Sequence, residues 1–406
     1  MLMFANCLFA YAQMNYFNSD NSPLPNDNVN AIEFDDIGNI WIGTYGGGVV
    51  KYDGKNWEIY TITNSPLPDN GVTAIEIDQK GNIWIGTHNG LTVFDGKNWT
   101  NFNLDTLQDF QNHVISIKQD NQGNIWVGSS GGLVKFDGKN WEVFKNAFLG
   151  RGNIRTIETD SFGDLWVGTQ AGVAKYLDKK WVFISDSLLK NYQIWSIKFD
   201  KQGTAWFATA KSGIIKYDGK SFEVFQEENS DLPYNGTDVL EIDDEGSIWI
   251  GMSVVGVVKY EGKNWTNLNF YNSDFPLRYV NALSFDQRHG LWAGGSDGLV
   301  KINEKYYIKR KNEIKSAEDQ KRKAYEKRIK DFRQNLKEGD NTMFGMVIEI
   351  RKPIVKIQTT QYIINNYTNW IKEDNIWSSE YGQYKPKAES TSHTIPVEKW
   401  CYFKFS

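Results

Sequence analysis

The chain has 406 residues with 45 basic and 50 acidic side chains, and this near balance excludes the basic face that counterion-releasing nucleic-acid binders carry. Aromatic residues make up 15 % and there are 36 glycines against 9 prolines, a composition of strands joined by tight turns that excludes a disordered chain. With two cysteines, four histidines and none of the HExxH, GxSxG or phosphate-loop strings, no disulfide framework, metal site or cofactor is expected, and no catalytic residue is nominated.

In chain order, residues 1–12 come first. They are apolar and end in the small-x-small pattern Ala10-Tyr11-Ala12, which reads as a signal peptide cleaved before Gln13 and places the protein in the periplasm or outside the cell. The basic start of a signal peptide is missing, so a truncated start or a buried apolar strand is the alternative reading. No later apolar run is long enough to span a bilayer.

Residues 13–309 repeat one unit seven times. The tryptophan of the IWIGT-like string falls at Trp41, Trp84, Trp126, Trp166, Trp206, Trp249 and Trp292, in steps of 40 to 43 residues. Each unit holds four short apolar runs separated by turn signals; the second reads VTAIEID, NIWIGT, GLTVFD and NWTNFN. Four strands in such a period predict an all-β, seven-bladed β-propeller of four-stranded antiparallel blades, and the period-two runs exclude helical repeats. The Asp-x-x-Gly strings, such as Asp78 to Gly81, are read as turns in which Asp accepts from backbone amides and Gly supplies a positive φ, not as catalytic carboxylates or calcium loops. Gly43, Gly86, Gly128, Gly168, Gly251 and Gly294, with Ala208 in the fifth copy, are expected to permit close approach of neighbouring blades. The tryptophans are expected to be wedges between blades. The segment YFNSDNSPLP near the N-terminus aligns with IYTITNSPLP at the first blade junction, so Tyr16 and Phe17 are expected to supply the fourth strand of the seventh blade; Tyr306-Tyr307-Ile308 compete for that slot.

The unit D-x-x-G-N-I-W-I-G-T-x-x-G-G-L-x-K-Y-D resembles the two-component regulator propeller repeat over about residues 14 to 303. In that family such propellers precede a membrane helix and a kinase and are implicated in sensing glycans or other extracellular ligands. These 406 residues include neither part, so the resemblance implies a fold, an extracytoplasmic compartment and a binding habit.

After the ring, residues 310–338 read as a charged amphipathic helix or linker, with Tyr325, Ile329, Phe332 and Leu336 on one face. Residues 339–406 read as a small β-rich domain, weakly resembling a Src-homology-type barrel through GMVIEIRKPIVKIQT.

The candidate site follows from where the seven copies disagree, because the scaffold does not dictate those positions. Five residues before each turn Asp stand Asn30, Thr73, Ile115, Arg155, Trp195, Asp238 and Asn281; two residues earlier stand Asn28, Gly71, His113, Asn153, Gln193, Gly236 and Tyr279; Tyr45, His88, Gln170 and Lys211 follow the second strand. Aromatic planes beside amides and charges suit a saccharide or protein ligand on the rim around the central channel. The nominated ligand-binding residues are Trp195, Arg155, Tyr45, His88, His113, Gln170, Gln193, Lys211, Asp238 and Tyr279, with Trp195 and Arg155 foremost because an aromatic and a fork donor on a rim imply a partner. The expected function is non-catalytic binding. A polysaccharide-lyase-type enzyme using a His on the same face, and a scaffold docking through its C-terminal domain, are the alternatives.

Overall fold

The computed structural model describes residues 14–302 apart from 108–109, 146–152, 178, 185–188, 190–191 and 270–274; beyond them it describes part of 312–327 and strands between 341 and 404. The proposed signal peptide, Tyr306-Tyr307-Ile308 and the apolar face Tyr325, Ile329, Phe332 and Leu336 lie outside the described residues. Two units result, Met1–Asn312 and Glu313–Ser406.

The first unit is a ring of seven four-stranded antiparallel sheets. Blade 2 shows the pattern: Val72–Ile77 lines the channel, followed outward by Ile83–Thr87, Gly90–Phe94 and Trp99–Phe102. The second strand is buried along its whole length in every blade, because both of its faces pack against neighbouring sheets. The ring closes as the internal alignment predicts. Met14–Phe17 pairs antiparallel with Gly298–Ile302, so the N-terminal segment completes blade 7 and covers the edge that blade would otherwise expose.

Apolar side chains meet between blades. Ala31, Trp41 and Val49 of blade 1 pack with Leu67, Val72, Ile75 and Phe94 of blade 2, and Leu24, Val29 and Ile42 pack with Ala282, Trp292 and Leu299 of blade 7. The repeat tryptophans are wedges, as expected: Trp84 reaches Phe136 of blade 3 at 6.0 Å between ring centroids, and Trp126 reaches Tyr176 of blade 4 at 5.6 Å. Each also donates an indole N–H to its turn Asp, from 2.7 Å in Trp126–Asp120 to 3.2 Å in Trp41–Asp35 and Trp206–Asp200.

The glycine positions set the blade spacing. A Cβ on Gly86 would lie 2.4 Å from Val114 Cγ1, and one on Gly294 2.4 Å from Val29 Cγ1 across the closing interface. Blade 5 carries Ala208 there, and the facing residue of blade 6 is Thr237 in place of the Val or Ile found elsewhere. Thr237 turns its hydroxyl to the Thr209 and Gly213 carbonyls, at 3.1 and 3.0 Å.

In the second unit the described residues of 312–327 are helical, and Asn341–Thr342, Gly345–Arg351, Ile354–Gln358 and Trp400–Lys404 form one antiparallel sheet.

Candidate functional site in the central channel

Six of the seven channel-lining strands begin the same way. The pairing register slips at the start: Val29 faces Thr44 and Ala31 faces Gly43, leaving Asn30 as an extra residue, and the same slip falls at Thr73, Ile115, Arg155, Trp195 and Asn281. In a regular strand, residues three apart point to opposite faces. The bulge absorbs one residue, so the bulged side chain and the one three positions later both face the channel.

The channel holds a cavity of about 590 Å³. All seven residues of the column five before the turn Asp line it: Asn30, Thr73, Ile115, Arg155, Trp195, Asp238 and Asn281. Tyr45, His88 and His113 join them. Of the nominated residues, Trp195, Arg155, Tyr45, His88, His113 and Asp238 are therefore brought together. Gln170, Gln193, Lys211 and Tyr279 are not among the lining residues; Gln193 and Lys211 are exposed, and Tyr279 is 43 % exposed.

The assembled side chains form an arc over five blades. Tyr45 meets His88 edge-on at 5.5 Å, His88 stacks on His113 at 5.0 Å, and the Arg155 guanidinium lies 4.4 Å over the Trp195 ring. Burial, with His88 and Arg155 nearby, holds His113 below the usual imidazole range. Asp238 continues the circle; burial raises its carboxyl, and Ser253 Oγ donates to it at 2.6 Å.

The arc differs from the rest of the circle in how its polar atoms are used. Asn30 donates to the Val72 carbonyl at 2.9 Å and Thr73 to the Val114 carbonyl at 2.7 Å, so these two bulge residues bind the next blade. Arg155 Nε and Trp195 Nε1 are buried and have no hydrogen-bond partner.

Deeper in the channel, three residues along each strand, lies a belt that the sequence reading missed: Glu33, Glu76, Lys118, Glu158, Lys198 and Glu241, with Ser284 in blade 7. Its signal is a charged column two residues before the turn Asp, hidden because ordinary strand alternation assigns that column to the face opposite the mouth residues. Lys118 bridges Glu76 and Glu158, each at 3.5 Å, and Lys198 bridges Glu158 at 3.6 Å and Glu241 at 2.6 Å. Burial pushes Glu158 up, but the two lysines outweigh it and hold the carboxyl low. Glu33 stands between Ser284 and Glu76 without a lysine beside it; burial and the Glu76 charge push it up to about 8.

Among the described residues no group of three or more His, Cys, Asp or Glu side chains is placed to hold a metal, and no helix is long and apolar enough to cross a membrane.

The repeat profile described as the two component regulator propeller matches residues 23–46, 66–89 and 109–131, the mouth loops and two inner strands of blades 1 to 3. The chain carries the two-component regulator propeller repeat in its first three blades. Among solved structures, two extracellular domains of hybrid two-component systems from B. thetaiotaomicron are similar to this propeller. One has a TM-score of 0.63 at 23 % identity and covers 73 % of this chain and 42 % of its own; the other has 0.60 at 20 %, covering 71 % and 39 %. The chain thus spans about two fifths of their length. A streptogramin B lyase is also similar, with a TM-score of 0.60 at 13 % identity over 71 % of this chain and 97 % of the lyase. At these identities the likeness is one of fold. No curated protein matches the chain.

Proposed function

We propose that this two-component regulator propeller is an extracytoplasmic binding module, periplasmic or secreted, that recognises a saccharide or protein ligand at the channel mouth. One observation carries the reading: on adjacent blades, the Arg155 guanidinium stacks on the Trp195 ring in the wall of the channel cavity and neither side chain bonds the next blade, while Asn30 and Thr73 in the same strand position do. Buried donors without partners are rare and unfavourable in native proteins, so packing between blades alone does not account for this pair. The extracellular neighbours support the compartment. Residues 1–12 support it as a signal peptide.

The stacked His88–His113 pair and the lyase neighbour favour one second reading, a lyase that uses a mouth histidine as general base. A glycan-array screen of wild type against Trp195→Ala tests both. Binding lost in the variant is the expected result, unsaturated sugar ends in the product replace binding by lysis, and retention of all binding by the variant removes the mouth from the account and leaves docking through the C-terminal unit.

A further inference from the structure

The junction of the seventh and first blades leaves polar atoms open at the mouth, and they narrow the ligand; this step rests on the binding reading above. Asn281 and Asn30 hold the same bulge position on adjacent blades. Asn30 commits its amide to the Val72 carbonyl of the next blade at 2.9 Å, whereas Asn281 donates from Nδ2 to the Asn28 side chain at 3.3 Å and stays exposed. Among the described residues, neither Asn281 Oδ1 nor Asn28 Nδ2 has a hydrogen-bond partner. The pair therefore offers one acceptor and one donor, and both residues line the cavity.

Tyr45 shares that corner. Its backbone N–H donates to the Asn28 carbonyl at 2.9 Å, and His88 stands edge-on to its ring at 5.5 Å. Among the described residues Tyr45, at 56 % exposure, is the one exposed large hydrophobic side chain in the lining. A reachable ring face beside an amide donor and an amide acceptor complements a sugar, which has an apolar C–H face and neighbouring hydroxyls that both donate and accept.

A peptide would pair instead with the channel-facing backbone of the inner strands. Side chains of the preceding blade already occupy that backbone: the Val114 carbonyl accepts from Thr73, and the Ile157 and Leu240 amides donate to Ser116 and Ser196. The corner also lacks formal charge. Beneath the amides, Glu33 is pushed up to about 8 by burial and the Glu76 charge and holds its proton at neutral pH, with Ser284 beside it in blade 7. Arg155 and Lys198, the cations of the lining, belong to blades 4 and 5 on the opposite wall.

We propose that the mouth binds a neutral saccharide, one sugar ring lying on Tyr45 with its hydroxyls bonded to Asn28 and Asn281.

The test titrates neutral tetrasaccharides of glucose, xylose, mannose, galactose and arabinose into the full chain, followed by calorimetry at low and high salt, with the galacturonate and chitosan trimers as charged controls. The expected result is at least one neutral tetrasaccharide whose affinity does not respond to salt. Tyr45→Ala should weaken it about 10-fold or more, Tyr45→Phe, which keeps the ring, should leave it within about 2-fold, and Asn281→Ala should cost about 3- to 10-fold. Thermal melts establish that the variants are folded. Binding of the charged controls alone, neutral binding that survives unchanged in Tyr45→Ala, or no neutral saccharide bound would each overturn the proposal. The Trp195→Ala screen decides separately whether the mouth is a binding site, so a charged glycan or a protein ligand lost in that variant preserves the binding reading while the neutral saccharide falls.

Discussion

Asp78 accepts the indole N–H of Trp84 on Oδ2 at 2.9 Å while its Oδ1 accepts the backbone amides of Lys80 and Asn82, each at 2.9 Å. One carboxylate thus ties the turn that enters the second strand to the wedge that fills the blade interface. The relationship recurs in all seven blades. Asp78→Ala strands the indole donor and two amides, and a loss of about 2–3 kcal/mol is expected in denaturant melts. Burial raises the Asp78 carboxyl, but the bonds from Trp84 and Asn82 outweigh it and hold the folded-state pKa below the ordinary value of 3.8. Its contribution is therefore fully present above that value and is lost as pH falls through the lower folded pKa. Melts at descending pH should show this, and a variant whose stability stops responding to acid in that window confirms the source.

Gly86→Ala brings a methyl to 2.4 Å from Val114 Cγ1, and overpacking of this kind costs about 1–3 kcal/mol. Adding Val114→Ala, which removes the Cγ1 that the methyl meets, to Gly86→Ala should recover part of the loss, measured as a coupling energy in a double-mutant cycle. Strict additivity of the two changes would mean that the blade spacing is set elsewhere.

Glu33 takes the opposite sign from Asp78. Its folded pKa is raised to about 8, so between the unfolded value near 4.5 and 8 the folded protein holds a proton that the unfolded chain has released. Stability consequently falls as pH rises through that window and levels off above it. Glu33→Gln removes the dependence and should stabilise the protein at pH 9 by on the order of 1–2 kcal/mol, with little change at pH 4, a figure set well below the full shift because the channel admits water. Equal melting curves for wild type and variant across that range would refute this account.

Val254 adopts φ +70° in the turn after the second strand of blade 6, beside the Ser253 that binds Asp238. A β-branched residue is strained there, and Gly256 of the same turn takes a second positive φ, +97°. Val254→Gly is expected to raise stability by about 1 kcal/mol, read from chemical denaturation.

Arg155→Met removes an uncompensated charge from the cavity wall, so the unliganded protein should gain about 1 kcal/mol even as it loses ligand. A rise in melting temperature without ligand, together with weaker binding, is the signature of a residue held for recognition; a drop would assign Arg155 a structural task.

The seven-fold period, the four apolar runs per unit, the interface glycines and the closure by Tyr16 and Phe17 were all legible in the sequence. The physical reason is that each is a local pattern repeated until it is unambiguous, and a ring in which every blade has only its neighbours to pack on demands the same residues each time. Trp195 and Arg155 were legible as exceptions to that repetition. The belt of Glu33, Lys118 and Lys198 was not, because a bulge that inserts one residue into their strands reverses the face on which the following side chains lie, and nothing local in Val-Asn-Ala-Ile-Glu-Phe announces it. Nor does the sequence say which polar atoms find partners. Asn30 and Arg155 occupy the same position in their repeats, yet one reaches a carbonyl on the next blade and the other stacks on the Trp195 ring with its Nε unpartnered, and that difference depends on side-chain reach across a distance fixed only when the circle closes.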